Sequence, residues 1–245
     1  LNQGDRIMID KMVGKTEVAL YGLAYSIGML VQLFISGMNS ALTPWMYSKI
    51  KKGDIRSMRK VLQLLSIVVV GIAVALMLIS PELVLIFGSP KYREAVYVIP
   101  PVAASVFFIF IYNILSMPQF YYEKTQFLMA ASMAAAGANV VLNFIFIRLF
   151  GYIAAGYTTL ACYMLYSVGH YIVSKRILVN EGIQENLMNP GFLLACSVFL
   201  IGASIICNLI FPYRILRYAI LLASAGLVFW KKELLLKTMA DIRKK

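Results

Sequence analysis

Four charges fall within eleven residues of a chain that otherwise reads as membrane. In "LNQGDRIMIDKMVGKTEVALYGLAYSIGMLVQLF", Asp5, Arg6, Asp10 and Lys11 precede a long apolar stretch. A planar guanidinium can bond two oxygens of a phosphate or carboxylate at once, and a neighbouring ammonium adds charge. Arg6 and Asp10 are four residues apart and are expected to pair on one helical face. Charges of this kind in an apolar chain call for a partner, a wet cavity or an exposed position. Neutral polar residues inside apolar runs add candidates: Asn39, Asn139 and Asn143, with Gln32, Asn113, Gln119 and Asn208. Most such groups join helices to one another, and some line cavities. Glu123 and Lys124, adjacent in one turn, form a secondary pair whose simplest reading is an exposed turn without a ligand.

The elements that must position these residues follow from composition. Of 245 residues, 61% are hydrophobic and 14% charged, with mean hydropathy +0.79. Soluble domains hold about 45–50% apolar and about 25% charged residues, so the chain is expected to be an all-helical integral membrane protein. The net charge of +12 suggests nucleic acid only where a water-exposed domain gathers it, and none is present, so anionic lipid is the expected counterpart.

A bilayer core needs roughly 20 apolar residues per helix. Seven runs qualify: 18–48, 61–88, 95–122, 125–147, 149–174, 187–213 and 215–230. Alternating these spans places 15 basic residues on one side, including 49–60, 124, 175–176 and the tail, and 8 on the other. The positive-inside bias makes the first side cytoplasmic. The chain's start then runs outward to about Gly14, and at 1.5 Å per residue Asp5 and Arg6 lie about 12–14 Å below the outer surface. Ionisable groups at that depth cost about 2.5–3.5 kcal/mol each unless a partner or a wet cavity meets them. The competing reading makes residues 1–16 an exposed juxtamembrane stretch.

Other features carry less chemistry. Ala130, Ala134 and Ala138 are spaced for close helix approach. Pro44, Pro100, Pro101 and Pro118 mark kinks or breaks. The sole histidine, His170, reads as interfacial near a cytoplasmic helix end. Cys162, Cys196 and Cys207 read as free thiols. The amino end lacks a basic region followed by a short apolar core, so no cleavable signal is expected there, and the chain reads as opening inside a longer protein. Metal, nucleotide and nucleophile motifs (HExxH, CxxC, DxD, the P-loop, GxGxxG) are absent, so neither a cofactor nor an enzyme is expected.

Several stretches resemble a known family. "DRIMIDKMVGKTEVALYGLAYSIGML", with Tyr21 and Tyr25, resembles the segment of bacterial polysaccharide exporters, the O-antigen and lipid-linked oligosaccharide flippases, where an Asp-Arg pair ends the seventh helix. "FGSPKYREAVYVIPPVAASVFFIFIYNI" and "FYYEKTQFLMAASMAAAGANVVLNFIFIRLFGYIAAGYTT" are similar to later segments of the same family. That family sits beside the multidrug and toxin extrusion transporters and the peptidoglycan lipid flippases. The resemblance implies the C-terminal lobe of a two-lobe, pseudo-symmetric transporter, from the end of helix seven through helix fourteen. Residues 1–176 would form that lobe, 177–230 two additional helices, and 231–245 a basic cytoplasmic tail on the inner leaflet.

The implied function is flipping of lipid-linked oligosaccharide across a bacterial inner membrane by alternating access. Asp5, Arg6, Asp10 and Lys11 would meet the carrier's diphosphate or its sugar. The implied partners are membrane lipids, the missing N-terminal lobe and a polysaccharide polymerase. Cation-coupled multidrug efflux is the alternative, since isolated acids suit it, whereas Arg6 and Lys11 suit a diphosphate. A membrane polymerase or glycosyltransferase is a further alternative, to which the short outer loop near 88–94 gives no support.

Overall fold

The computed structural model describes residues 2–230, and the basic tail 231–245, with its expected place on the inner leaflet, lies outside them. All regular elements described are helical. They are α1 (Asn2–Met12), α2 (Lys15–Gly28), α3 (Leu30–Lys51), α4 (Ile55–Phe87), a 3₁₀ segment (Pro90–Val98), α5 (Ile99–Tyr121), α6 (Gln126–Phe150), α7 (Ala154–Asn180), α8 (Pro190–Ile210) and α9 (Arg214–Trp230). Residues 2–12 are thus helical, with Asp5 in the first turn and Lys11 in the last, each favourably placed for the helix dipole.

Among the described residues, five stretches are long and apolar enough to cross a bilayer: Lys15–Lys51, Ile55–Phe87, Pro90–Tyr121, Gln126–Phe150 and Pro190–Ile210. The remaining two expected spans fold as α7 and α9. α7 has 27 residues but is less apolar, because it carries Thr158, Thr159, Ser167, His170 and Ser174, all buried. α9 has 17 residues, about 26 Å at 1.5 Å per residue. The first expected span is interrupted at Met29, between α2 and α3.

α5 is the central helix, buried along most of its length and packed on α3, α4, α7 and α8. In lipid there is no hydrophobic gain from joining apolar helices, so small residues and hydrogen bonds must do it. Gly28 lets α2 approach α5: a Cβ there would stand 2.6 Å from Val102 Cγ1. Between α5 and α7, Ser167 Oγ donates to the Phe108 carbonyl at 2.9 Å. α4 begins at the cap Asp54, which accepts from the Ser57 amide at 3.3 Å and pairs with Lys49 at 2.5 Å.

α6 and α7 form an antiparallel hairpin. Gly151, at φ 74°, gives the left-handed turn that ends α6. Hydrogen-bonded partners then run in opposite directions along the two helices: Ser132 with Tyr166, Asn139 with Thr159, Asn143 with Thr158. Of the three alanines spaced for close approach, Ala130 and Ala134 are exposed, and Ala134 and Ala138 border a cavity of about 290 Å³ with Phe127, Cys162 and Tyr166. His170 is fully buried between α5 and α7 rather than interfacial. Its Nδ1 lies 2.8 Å from Gln119 Nε2, among Tyr112, Phe127 and Tyr166. α7 continues ten residues beyond it, to Asn180, which keeps it from the helix end.

Candidate functional site

α1 turns one face inward and one outward. Asp5 and Ile9 are buried, Gln3, Ile7, Asp10 and Lys11 are exposed, and Arg6 sits on the edge between the two faces. That rotation separates residues that adjoin in sequence.

The Asp5 carboxylate is completely buried where α1 meets α2, α6 and α7. Tyr21 Oη donates to Oδ2 at 2.7 Å and Thr159 Oγ1 to the same oxygen at 2.9 Å. Asn143 Nδ2 donates to Oδ1 at 2.6 Å. A second layer closes around these donors. Asn143 Nδ2 also reaches Asn139 Oδ1 at 3.2 Å, and Asn139 Nδ2 donates to Thr159 Oγ1 at 3.4 Å. The Thr158 hydroxyl reaches both the Asn143 side-chain oxygen and the Ala155 carbonyl. Asn139 and Asn143 are one helical turn apart and so present both amides to the same point.

No Lys, Arg or His pairs with Asp5 among the described residues. A buried carboxylate without a cationic partner is expensive unless donors satisfy it, and here three do. The cluster offers hard oxygen ligands and one acid, and the described residues contain no group of three His, Cys, Asp or Glu. Such a donor set suits a proton or a small hard cation rather than a transition metal.

The structure thus brings together Asp5, Asn139 and Asn143. It leaves the other expected residues apart. Arg6 forms no ion pair with Asp10. Its guanidinium lies beside Gly22 of α2, at 3.8 Å from where a Cβ would stand, and its buried Nε has no hydrogen-bond partner. Asp10 is exposed, as is Lys11. Asn39 is on α3, half-buried, with an unpartnered side-chain oxygen. Lys124 pairs with Glu181 at 3.1 Å rather than joining Glu123 in a site, and Glu123 is exposed at φ 56°.

The MatE family profile matches residues 2–145. The chain belongs to the MatE family. A Haemophilus influenzae chain described as an uncharacterized membrane protein is 31% identical over 134 residues, which is 51% of this chain and 32% of that relative. The chain therefore spans about a third of the length of the curated relative it matches. No solved structure matches it. The MatE match covers α1 through most of α6, including Asp5, Tyr21, Asn139 and Asn143, and stops before Thr158 and Thr159.

Tyr21, Thr158 and Thr159 were not legible as site residues. Tyr21 and the pair in "GYTT" carry only hydroxyls, which are common in membrane helices, and Asp5 is 16 residues from Tyr21 and 154 from Thr159 in sequence, while Thr158 bonds Asn143 instead. A second buried polar group was also missed. Arg217 of α9 makes a two-pronged ion pair with Glu82 of α4, with both contacts at 2.8 Å, and donates to the Leu78 carbonyl at 2.6 Å.

Proposed function

We propose that the chain is the C-terminal part of a bacterial inner-membrane transporter that exports lipid-linked oligosaccharide by alternating access. On this reading residues 1–176 form one lobe, 177–230 two additional helices, and the carboxyl end lies in the cytoplasm, as the basic-residue bias supports. Its partners are membrane lipids, an N-terminal lobe and a polysaccharide polymerase.

The observation that carries the reading is the separation of Asp5 from Arg6. Asp5 is enclosed by three donors, whereas Arg6 stands at the edge of the exposed face of α1 without an ion pair, with Lys11 on that face. Two roles follow. Arg6, with Lys11, attracts a diphosphate, for which a planar fork is well shaped. Asp5 takes up and releases a coupling cation or proton, and the rearrangement of Tyr21, Asn143 and Thr159 passes that change to α2, α6 and α7. Asp10 limits the net charge of the empty face. Transporters generally place such sites near the bilayer midplane, at a lobe interface.

The Asp5 cluster also favours a second reading, cation-coupled drug efflux. Against it, Asp5 is too enclosed to touch a cationic drug directly. Complementation separates the two readings. The full-length gene is expressed in a cell lacking its own oligosaccharide flippase, and surface glycan is stained. Rescue that disappears in Arg6→Ala at equal protein level supports oligosaccharide export. Rescue unaffected by the substitution contradicts the role of Arg6, and cation-dependent dye efflux without rescue moves the assignment to the second reading.

A further inference from the structure

The last turns of α4 meet the 3₁₀ segment and the α8–α9 connection in a groove of about 510 Å³, within the roughly 300–1,000 Å³ of ordinary ligand sites. Its walls are apolar: Val84, Leu85, Val96, Tyr97 and Phe211, with Pro81 at one end. Arg93 and Glu94 line the same groove, both exposed and neither in an ion pair among the described residues.

The level of this groove in the bilayer follows from its neighbours. Leu85, Ile86 and Phe87 are 50%, 71% and 61% exposed, so the end of α4 presents an uncovered apolar surface of the kind that hydrocarbon covers. Directly after them come Gly88, Lys91, Arg93 and Glu94, and the level carries Tyr92, Tyr97 and Tyr213, the amphipathic residues of a membrane–water boundary. The groove therefore straddles the boundary, with apolar walls toward the hydrocarbon and two opposite, unpaired charges at the water side.

That charge order selects one kind of lipid. An anionic headgroup matches Arg93 but is repelled by Glu94. A headgroup carrying both a phosphate and a primary ammonium satisfies both, with the guanidinium on the phosphate oxygens and the carboxylate accepting from the ammonium. A quaternary ammonium has no N–H to donate and fits Glu94 less well. We propose that this groove is a binding site for phosphatidylethanolamine of the adjacent leaflet, one acyl chain lying against Val84, Leu85, Tyr97 and Phe211. Beneath it, Glu82 and Arg217 clamp α9 to α4, so an occupied groove also braces the seam between these helices.

The test is native mass spectrometry of the full-length protein, delipidated in detergent and titrated separately with phosphatidylethanolamine, phosphatidylcholine and phosphatidylglycerol of identical chains. Wild type is expected to hold one phosphatidylethanolamine about tenfold more tightly than the other two, the ratio that one charge-assisted contact of about 1.4 kcal/mol supplies. Glu94→Gln should erase the preference over phosphatidylcholine, and Arg93→Ala should weaken all three. Leu85→Trp, at a lipid-exposed position where folding tolerates bulk, should block the groove. Equal binding of the three lipids, a preference for phosphatidylglycerol, or unchanged phosphatidylethanolamine binding in Leu85→Trp would each overturn the proposal.

Discussion

The Asp5 carboxylate lies 2.6 Å from the Asn143 amide, joining helices whose partners are 138 residues apart in the chain. With Tyr21 and Thr159 completing the set, one buried acid links α1, α2, α6 and α7. Any change in its charge must be answered by donors on three other helices. On the proposed reading, protonation or cation binding at Asp5 is thereby tied to helix position.

Asp5→Asn places an amide where three donors already point. We expect the folded protein to lose about 1–3 kcal/mol, the cost of buried donors left without an acceptor. Gradient-driven transport should fall at least about tenfold, because the site no longer takes a charge. Thermal unfolding in detergent and flux in proteoliposomes measure the two effects separately.

Arg217 and Glu82 hold α9 against α4. Removing one partner of a buried pair costs about 3–5 kcal/mol, and partial exposure of Glu82 brings the expected loss for Glu82→Ala to about 2–3 kcal/mol. The double replacement Glu82→Leu with Arg217→Leu should recover most of that loss, since no charge is then stranded. Limited proteolysis of the α8–α9 connection reads the outcome.

Gly28→Ala should be destabilising by about 1–3 kcal/mol, because its methyl would enter the space of Val102. Val102→Ala in the same chain should relieve most of the strain. A double-mutant cycle giving a coupling near zero would contradict the close packing of α2 on α5.

The loop residue Asp54 titrates well below the ordinary carboxylate range, at about 2, chiefly because Lys49 donates to it and the Ser57 side chain and amide assist. A depressed pKa contributes stability above the unfolded value of 3.8 that is lost as pH falls toward about 2. The stability difference between wild type and Asp54→Asn should hold from pH 7 to about 4 and close between about 4 and 2. Unfolding midpoints across that range test the sign.

Much of the fold was legible because apolar runs of membrane length are hard to mistake. The interruption at Met29 carried no Pro and only a glycine whose role is packing against Val102. Within the site, Asp5, Asn139 and Asn143 stood out as polar groups in apolar surroundings, and they do converge. The pairing of Arg6 with Asp10 failed because spacing brings two side chains within reach but does not decide where a long one turns: the Arg6 guanidinium lies against Gly22 of α2. His170 was placed near a helix end because the apolar run closes at 174, yet α7 runs on to Asn180 and the ring is buried against Gln119.

The division of roles between Arg6 and Asp5 is tested most directly in proteoliposomes of the full-length protein, with a fluorescent polyprenyl-diphosphate oligosaccharide as probe. Arg6→Ala should weaken binding of the probe about tenfold while Asp5→Asn binds it normally but no longer transports it under an ion gradient. Wild-type binding by Arg6→Ala, or full transport by Asp5→Asn, would contradict the account.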